Sequence, residues 1–284
     1  MDLRCEHAQT SPPRWRQAER YARWLRRVPF VRLMTVCGSQ AIDNAPAAGD
    51  VDFFCITAPR RLWLVQMAAM LLRRPAALGG VEICPNYFLA EDALALAARD
   101  LYTAHEALQV VPLWGRDAYV AFRDANAWTA ELLPGFDVSA RLERLTDLEA
   151  PRLTRRLERA LGGRAGEALD RLVHRALLGY YSVRLWRHRF GRGALREAYR
   201  RDRQVVVGGG YAGAVVAAFR RRVRERLPAE AIPEELLERL FPPRGALVAA
   251  RETTVGDGVT RLYGRLLAQS YGARADGAPR RGEP

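Results

Sequence analysis

Asp50 and Asp52 open an apolar run that reads DVDFFCIT. On an extended strand successive side chains alternate between faces, so these two acids project from the same side, ~6–7 Å apart along the strand. Two carboxylates aimed into one space repel each other, and a divalent cation between them makes the arrangement tolerable. Ligation by oxygen alone favours Mg2+, which is held by one or two carboxylates together with substrate phosphates. Upstream, with ten residues intervening, Gly38 and Ser39 close another apolar run, VRLMTVC. A glycine at a strand end lets backbone approach a ligand closely, and a serine adds a hydroxyl and an N–H, so the pair suits phosphate oxygens. A phosphate holder beside paired metal ligands is the equipment for phosphoryl or nucleotidyl transfer. One cation polarises the attacked phosphorus and orients the pyrophosphate, and a second lowers the pKa of the attacking hydroxyl.

These residues need two strands and a loop to position them. Val31–Cys37 is a short apolar run of buried-strand length, and Asp50–Thr57 is rich in β-branched and aromatic residues. Between them Gln40–Gly49 carries Asp43, Asn44, Pro46 and Gly49, which is turn chemistry. Leu3–Pro13 is polar and broken by Pro12 and Pro13, so the first helix is expected over 14–27, with Trp15, Tyr21, Ala22 and Leu25 on its apolar side. Pro59 fits the first turn of a helix running to Arg74, with Leu62, Val65, Ala69 and Leu72 inward. Pro75 and Gly79-Gly80 are expected to stop it. Val81–Leu89 reads as a third strand, placed at an edge or bulged because of Pro85. Helical patterns follow at 91–98, 101–109 and 116–133.

From Phe136 the strand signal almost vanishes, and helices are expected at 138–161, 166–190, 212–227, 228–240 and 258–271. In the second of these Leu169, Leu172, Val173, Ala176, Leu177, Tyr180 and Tyr181 form the apolar stripe. The fold class expected is α+β: a small mixed sheet with flanking helices over 14–134, an all-helical C-terminal domain over 136–272, and a Gly/Pro/Arg-rich tail at 273–284 expected to be disordered.

An apolar strand, Gly-Ser, a gap of about ten and then Asp-apolar-Asp resembles the DNA polymerase beta-like nucleotidyltransferase superfamily, in the manner of a bacterial stand-alone member. Residues 15–110 carry the resemblance. It implies a nucleotidyltransferase domain over 14–134, with Gly38 and Ser39 as the phosphate-holding pair and Asp50 and Asp52 as the first two metal carboxylates. The family usually adds a third carboxylate on a later strand between apolar residues. Val81-Glu82-Ile83 has that form, so the resemblance makes Glu82 the third metal ligand or the proton acceptor, with Glu106 and Asp100 as substitutes. It further implies two Mg2+ ions and an NTP such as ATP as substrate. An NMP would pass to an acceptor hydroxyl on a small molecule, a protein or a tRNA, with release of pyrophosphate. The competing expectation is the same fold without catalysis, binding nucleic acid or a protein partner through arginine-rich helices.

Other signals are weaker. Gly208, Gly210 and Gly213 match GxGxxG, but the chain beyond reads RRRVRERLPAEAIPEELLERL, which leaves no second strand for a dinucleotide unit. His105, His174 and His188 lack ligand partners at helical spacing, and Cys37, Cys55 and Cys84 read as small core residues. Arg60 and Arg61 at a helix start are in reach of phosphates or of solvent. Arg152, Arg155, Arg156 and Arg159 make one basic helical face, and Arg220–Arg222, Arg224 and Arg226 another.

Across 284 residues the net charge is +13, and every basic residue is arginine. Without lysine there is no Walker P-loop and no Schiff-base chemistry. Arginine pairs bidentately with phosphate, which keeps a phosphate-bearing partner in view. The four cysteines show no CxxC pair. Neither an apolar leader nor a stretch long enough to cross a bilayer is present, so the chain is expected to be cytoplasmic, with no membrane partner.

Overall fold

The computed structural model describes residues 2–46, 49–77, 80, 82–134, 136, 139–143, 145, 150–186 and 198–205, with 217, 218, 220–222, 224, 225 and 235 beyond. A five-stranded mixed sheet organises them. Its strands are β1 (Val31–Cys37), β2 (Val51–Thr57), β3 (Ile83–Ala90), β4 (Val111–Trp114) and β5 (Arg203–Val205), in the order β4-β1-β2-β3-β5. The β2–β3 pair is parallel; β1 with β2, β1 with β4 and β3 with β5 are antiparallel. The described residues are thus α+β.

Both faces of the sheet are covered, which is why β1 and β2 read as continuous apolar runs rather than alternating ones. Against one face pack α1 (Asp2–Leu25) and α2 (Leu62–Ala77), where Tyr21, Leu25, Val36, Val51, Phe53, Leu62, Trp63 and Phe88 are buried together. Against the other pack α3 (Leu101–Gln109) and α4 (Arg116–Ala125), whose Ala107, Tyr119 and Phe122 meet Leu33, Phe54, Ile56 and Leu89. Each such large side chain contributes about 1.5–3 kcal/mol by leaving water.

Several expectations need correction. The first helix starts at Asp2 and runs through Pro12 and Pro13. A proline removes the bond to the carbonyl four residues back. Here those carbonyls belong to Ala8 and Gln9, both exposed residues, so water replaces the missing donors. The same reason lets α2 pass Pro75 and end at Ala77, because Leu71 is 66% exposed. Pro59 lies outside α2, in a turn where Arg60 has φ 59°. Residues 91–98 are not helical: the buried Asn126 side chain accepts from Leu96 N (2.9 Å) and donates to Leu94 O (2.9 Å), holding the segment in an irregular path. The pattern at 116–133 divides into α4 and the short α5 (Thr129–Leu132). Pro85 sits at a bulge, as the register shift between Phe53 and Phe54 records.

The half expected to be all-helical supplies a strand. β5 pairs with β3 through Tyr87–Val205, Phe88–Gln204 and Leu89–Arg203. Before it come α6 (Ser139–Glu143), α7 (Arg152–Leu161) and α8 (Arg164–Trp186). On α8 the expected stripe divides: Val173, Leu177 and Tyr181 pack on the core, whereas Leu169, Leu172 and Tyr180 are exposed. Arg61, buried to 3% exposure, donates to the carbonyls of Leu161, Gly162 and Gly163, and Asp170 accepts from two amides in the first turn of α2, Trp63 N (2.9 Å) and Leu64 N (3.0 Å). Arg60 pairs with Glu167 at 2.8 Å, so neither arginine of that turn points to a phosphate site. Among the described residues no helix is long and apolar enough to cross a membrane. The glycines 208, 210 and 213, His188, the tail at 273–284 and the helices expected at 228–240 and 258–271 lie outside the described residues, as does most of 212–227.

Candidate metal centre

The end of β1 and the start of β2 lie side by side, with Cys37 paired to Asp52. Val51 between the acids is fully buried toward α1 and α2, so Asp50 and Asp52 project from the opposite face. On the other side of β2, Asp52 is in parallel register with Cys84 of β3. The carboxylates of Asp50 and Asp52 and the Cys84 sulfur each present a donor atom, and the three atoms lie within 4.8 Å of one another.

Gly38 follows Cys37 with φ 64°, a left-handed backbone that favours glycine, and opens a 3-10 turn over Gly38–Ile42. A Cβ at Gly38 would stand 2.8 Å from Asp52 Oδ2. The backbone corner therefore approaches the acid as closely as it can, and any side chain there would fill the space the carboxylate uses. Ser39 is next in the same turn and half-buried, as are both acids.

The loop between the two strands is fastened by α1. Arg14, 4% exposed, donates to Pro46 O (2.6 Å) and Gly49 O (2.7 Å), and its charge acts on Asp50. Ser11 and Trp15 both donate to Asp43 Oδ1, Trp15 at 2.7 Å, while Gln40 Nε2 donates to Ser11 Oγ at 2.8 Å. His7 Nδ1 stands 3.1 Å from Asn44 Oδ1. Asp43 has φ 52°, which turns the chain back so that Asn44 N reaches Ser39 O at 2.9 Å.

Burial pushes the Asp52 carboxyl well above the usual carboxylate range, and the charge of Asp50 pushes it further. Hydrogen bonds from the Cys84 thiol and the Asn86 side chain act against this, and the charge of Glu106 on α3 adds to it. The Cys84 thiol is also pushed up, by burial first and then by Asp52 and Asp50. An acid pair held under these conditions favours anything that brings positive charge between its members.

The sequence-derived residues therefore divide. Gly38, Ser39, Asp50 and Asp52 come together. Glu82 does not join the three donors: it precedes β3, its side chain is 67% exposed, and it stands 3.9 Å from Arg73 Nη2. Asp100 caps α3, accepting from Thr103 N at 2.7 Å. Glu106 accepts from Gln109 Nε2 at 2.7 Å, near enough for its charge to act on Asp52 and Cys37. Three residues escaped the sequence reading. Cys84 reads from the sequence as a core residue, and Asn86 and Arg14 carry no signal. Counting alternation back from the bulge at Pro85 would have put Cys84 opposite Asp52. Cys37 and Cys55 are core residues as expected, the latter against Met34. His174 stacks on Trp63 with centroids 4.4 Å apart and hydrogen bonds to Tyr199 O, a packing role.

A scan against protein-family models finds no match to this chain, and searches of curated proteins and of solved structures find none.

Proposed function

We propose that this chain is a divalent-cation-dependent nucleotidyltransferase that moves an NMP from an NTP to an acceptor hydroxyl and releases pyrophosphate. One observation carries the reading: two same-face carboxylates lie against a glycine corner, with Asp52 Oδ2 2.8 Å from the point a Gly38 Cβ would occupy. The donor chemistry fits Mg2+, since Asp50 and Asp52 offer oxygen ligands and leave positions for phosphate oxygens and water. When bound, the cation neutralises the polyphosphate and lowers the pKa of the acceptor hydroxyl.

The chain's own groups do the rest. Asp50 and Asp52 would hold the cation, and without it their negative charge would oppose a triphosphate. Gly38 and Ser39 bind the triphosphate through backbone N–H groups and the serine hydroxyl. The acceptor oxygen bonds to the α-phosphorus as the bond to the pyrophosphate oxygen breaks. The hydroxyl proton passes to a carboxylate of the site, and Glu106 is the remaining acid whose charge reaches Asp52.

Labelled NTP offered with Mg2+ in cell extract, to wild type and to Asp50→Ala and Asp52→Ala, tests the reading. Transfer of the α-label by wild type and its loss in both variants supports it; retention in both overturns it.

A second reading, a non-catalytic module that binds nucleic acid or a protein partner, draws support from two observations. Glu82 stands apart from the donors, and Arg152, Arg155, Arg156 and Arg159 on α7 are exposed. Salt-sensitive RNA or DNA binding without NTP turnover selects it.

A further inference from the structure

Cys84 and Cys55 are both strand cysteines, yet their surroundings differ. Cys55 is 1% exposed and rests against Met34 in the core. Cys84 lies on the face that carries the acids, half-buried, and its thiol hydrogen bonds to Asp52. Its sulfur is the third donor within 4.8 Å, at the register position directly across β2–β3 from Asp52. The bulge at Pro85 inserts one extra residue, Asn86, whose side chain also acts on the Asp52 carboxylate. Glu82 faces Arg73 outside this group.

We propose that Cys84, in place of a third carboxylate, completes the metal centre, and that the resulting two-oxygen, one-sulfur donor set takes thiophilic divalent cations of the zinc and cobalt class with the sulfur as a direct ligand. The inference rests on the metal centre argued above and adds a second class of cation to it. Soft thiolate selects zinc-like ions, whereas carboxylate and water suit magnesium and manganese. When a thiophilic cation enters, the S–H bond breaks, the sulfur donates its electron pair to the metal and the proton leaves to solvent. No electron is transferred. A hard cation uses Asp50 and Asp52 alone, without the sulfur. The centre then holds either class of ion, each with its own ligand count.

Cobalt(II) and manganese(II) are the probes, added to the metal-free full chain. A sulfur-to-cobalt charge-transfer absorption in the near ultraviolet is expected for wild type. Cys84→Ser and Cys84→Asp should both lose that band. Cobalt affinity should fall by at least about 10- to 100-fold in Cys84→Ser, since removing even an outer-shell partner of a metal costs that much. Manganese affinity, read by electron paramagnetic resonance, should stay within about threefold, because its ligands are the carboxylates. Circular dichroism melts establish that each variant is folded, and Cys84→Asp keeps a ligand in place should the serine variant fold poorly. Cobalt bound without the band, or a band that survives in both variants, overturns the assignment of Cys84 while leaving the carboxylate site standing. Failure of wild type to bind either ion removes both the inference and the reading on which it rests.

Discussion

The guanidinium of Arg14 sits 2.7 Å from the carbonyl oxygen of Gly49, across thirty-five residues of sequence. That bond, with its twin to Pro46 O, ties a helix at the start of the chain to the residue just before Asp50. Arg14→Ala leaves Gly49 O without its side-chain donor, while Pro46 O keeps the Gly49 N–H (2.8 Å), and is expected to cost about 1–3 kcal/mol. Manganese affinity should drop as well, because Asp50 loses its fixed approach. Urea denaturation and a manganese titration of the same variant check both effects.

Gly38→Ala puts a methyl group against Asp52 Oδ2 and forces an L-residue to keep φ 64°. The backbone alone costs roughly 1–2 kcal/mol. The displaced carboxylate should also lose its cation, so divalent binding falls more than stability does. Gly163→Ala is the control. A Cβ there meets nothing within 4 Å. The change should alter stability by no more than about 1 kcal/mol and leave metal binding intact.

Asp52 makes the metal-free protein sensitive to pH. Its carboxyl is raised in the folded state by burial and by Asp50. Between the ordinary carboxylate value and that raised value, the folded chain holds a proton that the unfolded chain has released. Stability therefore falls as pH rises through the window and stays lower above it. Asp52→Asn removes this penalty. In the presence of a chelator the variant should melt a few degrees above wild type at neutral pH. The gap should close as pH drops below about 4, the unfolded carboxylate range. Added Mg2+ or Mn2+ should raise the melting temperature of wild type but not of the variant. Calorimetry across pH, with and without cation, reads all three trends.

Asp170 should behave as a remote structural residue. Its Oδ1 accepts from two amides in the first turn of α2, Trp63 N and Leu64 N, from a position on α8. Asp170→Ala is expected to cost about 0.5–2 kcal/mol, the usual range for losing such a cap, whereas Asp170→Asn keeps an acceptor oxygen and most of the stability. Neither change should move cobalt or manganese affinity, and denaturation beside a metal titration separates the two effects.

The same residues explain what could be read from the sequence. Strands β1 and β2 are legible because they are buried on both faces and therefore mostly apolar, with Arg32 and Asp52 as their charged residues. The shared face of Asp50 and Asp52 follows from strand alternation alone. The first half of α1 is not legible by apolar periodicity, since its inward side chains are His7, Ser11 and Arg14, which meet polar loop atoms rather than the core. β4 is four residues long and contains Pro112, which an outer strand of the sheet tolerates. β5 has only Arg203, Gln204 and Val205 to announce it, and its place is fixed by pairing with β3. Cys84 escaped because a single inserted residue at a bulge changes which positions share a face.

The polar beginning of α1 bears on how the protein is handled at the bench. A recombinant fragment started at residue 14, the border suggested by hydrophobicity, would keep every apolar layer of the sheet. It would also discard His7 and Ser11, two of the side chains that fasten the Gly38–Asp50 connection. Such a fragment would look well folded by spectroscopy and still be a poor specimen for enzymology. Assays for nucleotide transfer should begin from the untrimmed chain.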